Sequence, residues 1–300
     1  MIEEVRQSPL VSVQHADAIA GDVGVRPGRC RHIVNSLVSR RKQRGKQRKT
    51  KGSGLFSCRS RPATLPVMPR SPRVDEAGGL YHALNRGNAR ATVFHKDADY
   101  EAFERVLGEA LDRYDVHLLA YQLMPNHWHL VLRPNQRGEM SRFMRWVTAT
   151  HTMRYHAHRH SSGEGHVYQG RFKSFPIQDD NHFLTVCRYV ERNARRAGLV
   201  ERAEKWRWGS LWRWLQRSEP DPTLLSPWPI ARLPRWVARV NTPLTVGELS
   251  AVRKSLKRGR PFGEASWVRS SAKRLGIEST LRPRGRPKLP QPRANDRKES

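Results

Sequence analysis

The chain has 300 residues and a formal net charge of +29, from 56 Lys and Arg against 27 Asp and Glu. Such a balance costs self-repulsion in a compact state and calls for a polyanion, nucleic acid before an anionic membrane surface. An apolar content of 37% supports a core of medium size but not one that runs the full length. No apolar run reaches the ~18 residues of a membrane span, and "MIEEVRQSPL" carries acids where a secretory signal carries bases. Cys30, Cys58 and Cys187 are too scattered for a disulfide framework or a CxxC zinc site, which fits a reducing cytoplasm.

Residues 1–67 contain "SRRKQRGKQRKTKGSG" and no sustained period of 2 or 3.6. They read as a basic arm for DNA phosphates, as a disordered extension, or as a segment preceding a true start at Met68. From Met68 an orderly pattern begins. "GLYHALNRG" (79–87) predicts a strand ending in a Gly turn. Phe103, Val106, Leu107, Ala110, Leu111 and Tyr114 recur at helical spacing over 97–115, with Asp97 as a candidate N-cap. "VHLLAYQLM" (116–124), the turn "PN" and "HWHLVLRP" (127–134) predict a hairpin. A helix is expected over 140–160, a fourth strand over 165–178 and a further helix from 179 to about Gly198. This β-α-β-β-α-β-α order matches the α+β split βαβ arrangement: an antiparallel sheet, two helices on one face and the other face free for work. Residues 216–241 hold several prolines and read as a linker, and 242–300 as a helical and disordered basic tail.

On a strand, i and i+2 share a face. His127 and His129 therefore project together, away from Trp128, either as metal ligands or as ordinary strand histidines. Tyr189 and Asn193, four apart on the last predicted helix, share a face as well. A tyrosine is able to attack a phosphodiester and leave a phosphotyrosine link. An ordinary helical stripe explains the same pair.

"MPNHWHLVLRP", "VYQGRFKSF", "CRYVERNARRAGLV" and "WRWGSL", in this order, resemble the REP-associated tyrosine transposases, single-tyrosine HUH enzymes of single-stranded DNA. The likeness runs from about Met68 to about Leu215. It implies a ferredoxin-like fold, Tyr189 as nucleophile, His127, His129 and Asn193 as ligands of Mg²⁺ or Mn²⁺, and hairpin-bearing, REP- or BIME-like single strands as partner. It also implies a nucleoid-associated place in the cytoplasm and a monomer or homodimer. Relatives often carry Pro where this chain has Ala194, so here the helix is free to run on.

Arg171 and Lys173 share one face of the fourth strand, with Phe172 on the other, and suit phosphate contact or mere solvation. Arg86 and Asn88, flanking Gly87, are further DNA candidates. "RGRP" occurs at Arg258–Pro261 and Arg284–Pro287. It resembles an AT-hook core, in which Arg258 and Arg260, or Arg284 and Arg286, would extend along a narrow minor groove. Trp206, Trp208, Trp212 and Trp214 read as packing of a C-terminal segment rather than as a base-stacking platform. The competing function is a binding module without catalysis. A zinc hydrolase is weaker, since no HExxH pattern is present.

Overall fold

The computed structural model describes residues 75–216 and 224–282. The readings of 1–67, of a start at Met68 and of Arg284 and Arg286 lie outside the described residues.

The elements are β1 (Leu80–Arg86), α1 (Asp97–Arg113), β2 (Val116–Met124), β3 (His127–Pro134), α2 (Glu139–Arg159), β4 (Lys173–Ile177), α3 (Asn181–Glu191), α4 (Asn193–Arg196), α5 (Ser210–Leu215), α6 (Trp236–Asn241), α7 (Val246–Arg258) and α8 (Ala265–Arg274). The four strands form one antiparallel sheet in the order β2-β3-β1-β4. This is the ferredoxin-like α+β topology, produced by two βαβ halves that interleave.

Local rules explain the elements. Asp99 accepts the backbone N–H groups of His95 and Lys96 at the start of α1, and Asp97 and Asp99 complement the helix dipole there. Pro125 and Asn126 turn the hairpin, with Met124 paired to His127. Phe103, Leu107 and Ala110 of α1 and Phe143, Met144 and Val147 of α2 are fully buried in one cluster with Tyr121, Leu123, Trp128, Leu130 and Leu132 of the sheet. Each of the larger side chains contributes about 1.5–3 kcal/mol by leaving water.

The second face departs from expectation: it is covered, not free. Phe183, Val186, Cys187 and Val190 of α3 join Leu119, Ala120, Val131, Phe175 and Ile177 in a second core cluster. Trp236 and Val240 of α6 and Val252 of α7 complete it. The expected linker is therefore part of this layer. A bulge in β2 between Leu118 and Ala120 frees carbonyls from the ladder. Leu118 O accepts the N–H of Ser226 at 2.9 Å and Leu119 O accepts Trp228 Nε1–H at 2.6 Å. Buried Glu191 accepts from Trp236 Nε1–H at 2.7 Å and Ser210 Oγ–H at 2.9 Å. Burial pushes its carboxyl upward. Nothing in the polar and prolyl composition of 216–241 signals these long-range partners.

β4 is shorter than predicted. Tyr168 bridges Gly87, and then Gly170, at φ 152°, turns the chain before Lys173 begins the strand.

Candidate functional site

The pleat of β3 sets Trp128 into the helix-side core and turns His127 and His129 to the other face. Their ring centroids are 5.0 Å apart. His127 Nδ1 donates to Asn126 Oδ1 at 2.6 Å, because a carboxamide oxygen only accepts, and this leaves its Nε2 with a lone pair. His129 Nδ1 lies 2.8 Å from Nε2 of His82 on β1. His129 Nε2 is buried and has no hydrogen-bond partner among the described residues.

These imidazoles are held neutral. Burial first, then the positive charges of Arg86 and Arg196, push His127 down to about 4. Burial pushes His82 down to about 3, and burial with neighbouring His82 and His127 pushes His129 well below its ordinary value. Neutral imidazole is the form that coordinates a cation.

Tyr189, in the last turn of α3, is buried edge-on against His129, with ring centroids 5.9 Å apart. The guanidinium of Arg196 lies over the tyrosine ring, 4.9 Å from its centroid. Asn193 is almost fully buried, and its Nδ2 faces His127 Nε2 at 3.4 Å. Its Oδ1 accepts from Arg196. The structure thus gathers Tyr189, His127, His129 and Asn193 on one side of the sheet.

The helix does not run unbroken through Asn193. It pauses at Arg192 (φ −81°, ψ −6°) and resumes as α4, with Ala194 fully buried. Arg192 keeps nearly helical angles, so Asn193 remains beside Tyr189.

Two imidazoles and a carboxamide suit a divalent cation that keeps open positions for oxygen ligands. The orphaned Nε2 of His129 is an observation in favour of that fit. Ligation by Asn193 requires its carboxamide to turn, so that Oδ1 rather than Nδ2 faces His127. Among the described residues, no group of three or more His, Cys, Asp or Glu side chains is arranged to hold a metal ion.

The DNA candidates separate. Arg86 pairs in register with His127, and Lys173 pairs with Leu84, which is itself opposite His129. Both side chains therefore take the histidine face. Lys173 is exposed and Arg86 half-buried. Arg171 is exposed just before β4, and Asn88 is exposed in a short 3₁₀ turn. Arg258 is not extended: it ends α7, Gly259 caps the helix at φ 70°, and the guanidinium donates to the carbonyls of Thr280 (2.8 Å) and Arg282. Phe262 bridges Ile177 of β4, which holds the whole segment against the sheet edge. Arg260 lines a separate cavity of about 400 Å³ with His182 and Lys254.

Trp206, Trp208 and Trp214 pack against the core clusters. Trp208 stacks on Tyr100 at 4.9 Å, and Trp206 donates to Leu123 O at 2.8 Å. Sequence reading missed His82 and Arg196. Alternation within "LYHALNR" does put His82 on the face of Arg86, but only the strand register brings it to His129.

Residues 77–193 match the family model described as transposase IS200 like. Among solved structures, one is a REP-associated tyrosine transposase bound to a REP hairpin, at 17% identity over 58% of this chain and 93% of that chain, with a TM-score of 0.42. Another is a proposed transposase of Deinococcus radiodurans R1, at 16% identity over 41% of this chain and 95% of that one, with a TM-score of 0.29. No curated protein matches the chain significantly. No helix among the described residues is long and apolar enough to cross a membrane. The matched segment 77–193, similar to the IS200-like transposases, carries both histidines, Tyr189 and Asn193.

Proposed function

We propose that this protein is a transposase, an endonuclease and strand-transferase of single-stranded DNA, dependent on Mg²⁺ or Mn²⁺, that cuts at hairpin-associated sites through a 5′-phosphotyrosine. The observation that carries the reading is Tyr189 seated against His129, with His127 and Asn193 beside them. The phenol oxygen of Tyr189 attacks the scissile phosphorus. The new O–P bond replaces the P–O3′ bond, the phenol proton leaves to solvent, and the departing 3′-oxygen takes up a proton. The free 3′-hydroxyl later attacks a phosphotyrosine in the reverse sense, which joins two ends.

His127, His129 and Asn193 would hold the metal, which, when bound, polarises a non-bridging phosphate oxygen. Arg196 guards the ring of Tyr189 and offers a guanidinium to the incoming phosphate. Arg86 and Lys173 carry the strand across the same face, and Arg171 and Asn88 extend that track. Hairpin association, with REP- or BIME-like repeats as partner, follows from the sequence resemblance to the REP-associated group. Arg260, Arg284 and Arg286 are retained as basic contacts for flanking DNA. Arg258 reaches DNA only by giving up its carbonyl partners.

The test is incubation of the full chain with single-stranded hairpin DNA and Mg²⁺ or Mn²⁺, read on a denaturing gel. A covalent adduct that chelation prevents is expected. DNA binding that survives chelation, with no adduct under any metal, would instead favour a binding module without catalysis.

A further inference from the structure

β1 carries a buried histidine that the proposed chemistry leaves idle. The register sets His82 opposite Val131 and Leu84 opposite His129, so His82 and His129 are diagonal neighbours on one face. His82 is fully buried, and its ring centroid lies 4.9 Å from that of Phe175. Its Nε2 is 2.8 Å from Nδ1 of His129, and its own Nδ1 has no hydrogen-bond partner among the described residues. Leucine or phenylalanine would bury similar area without the orphaned Nδ1 of His82, but would leave Nδ1 of His129 without its partner. Packing alone therefore does not account for an imidazole here.

We propose that His82 is a positioning residue: it accepts a hydrogen bond from Nδ1–H of His129 and so keeps Nε2 of His129 as a bare lone pair. The proposal rests on the reading of His127 and His129 as metal ligands. One proton lies between the two rings. If His129 donates it, Nε2 of His129 is open to a cation. If His82 donates it, the proton of His129 moves to Nε2 and blocks coordination. The neighbouring ring gives the direction. Asn126 Oδ1 takes the Nδ1–H of His127 and leaves Nε2 bare. The same polarity at His129 yields two bare Nε2 atoms on rings 5.0 Å apart. His82 is not itself a third ligand, because its Nε2 is turned to His129 and its Nδ1 is sealed in the core.

The experiment uses the full chain as wild type, His82→Phe and His82→Gln. Long-range ¹H–¹⁵N spectra of the metal-free proteins report imidazole tautomers, with His129 assigned by its loss in His129→Gln. Mn²⁺ binding is measured by electron paramagnetic resonance. His129 is expected as the Nδ1–H tautomer in the wild type and as a mixture in His82→Phe. His82→Phe should lose about 10–100-fold in Mn²⁺ affinity while keeping a cooperative thermal transition. His82→Gln, whose carboxamide oxygen accepts the same proton, should recover most of that loss. An Nε2–H tautomer for His129 in the wild type overturns the proposal, and so does an unchanged Mn²⁺ affinity in His82→Phe. If the wild type binds no Mn²⁺, the metal reading fails, and the tautomers alone decide: Nδ1–H lost in His82→Phe upholds the role of His82, and its persistence ends it. Should His82→Phe not fold, the wild-type spectrum and His82→Gln carry the same decision.

Discussion

The rings of Tyr189 and His129 meet edge to face, with centroids 5.9 Å apart and planes at 88°. This contact joins the end of α3 to the middle of β3. Apolar packing locks the approach, because Val186 and Val190 of α3 share a core cluster with Val131, two residues beyond His129. The helix that carries the tyrosine is thus a structural layer of the sheet.

Tyr189→Phe keeps the ring packing and removes only the hydroxyl. Covalent adduct formation should vanish, with urea stability held to within about 1 kcal/mol. An adduct that still forms would remove Tyr189 from the mechanism.

His127→Ala and His129→Ala should both abolish metal-dependent cleavage, yet differ in stability. His129→Ala leaves a void and strands Nε2 of buried His82, at a cost of about 1–3 kcal/mol for the lost partner plus the cavity. His127 is half-buried, so its loss should cost less. Urea unfolding in the opposite rank order would contradict the assigned burial.

The buried imidazoles predict acid sensitivity. Burial holds His82 at about 3, and His127 and His151 at about 4, against 6.5 when exposed. A depressed folded value means that the unfolded chain binds more protons below 6.5. The stabilisation is therefore complete above about 6.5 and declines as pH falls toward about 4, by up to about 1.4 kcal/mol per pH unit for each group. Urea midpoints should drop between pH 7 and pH 5, whereas equal midpoints would show these rings to be already solvated.

Lys173→Ala removes an exposed charge from the histidine face without touching the core. Single-strand affinity should fall evenly across sequences, and the slope of log K against log salt should shrink by about 0.7. Binding titrations at several salt concentrations measure this, and an unchanged slope would place the strand elsewhere.

Trp236→Ala tests whether residues beyond the matched segment 77–193 belong to the fold. It should cost about 3–5 kcal/mol, since a buried ring is lost and Glu191 loses a donor. A single, weakened unfolding transition is expected. A separate early transition of the C-terminal segment would show that it folds apart.

By itself the sequence determined the order of elements through β4, the exact span of the β2–β3 hairpin and the shared face of His127 and His129. Those properties are local: a period of 2 or 3.6 decides where a side chain points within its own element. Tertiary structure alone decided that α3, α6 and α7 close the second face, that Trp228 reaches the carbonyl freed at the β2 bulge, and that Phe262 ties Arg258–Pro261 to the sheet edge. It alone also brought His82 to His129 and folded Arg196 over Tyr189. Strand register and helix docking sum many contacts between residues far apart in the chain, and no short window of sequence contains that sum.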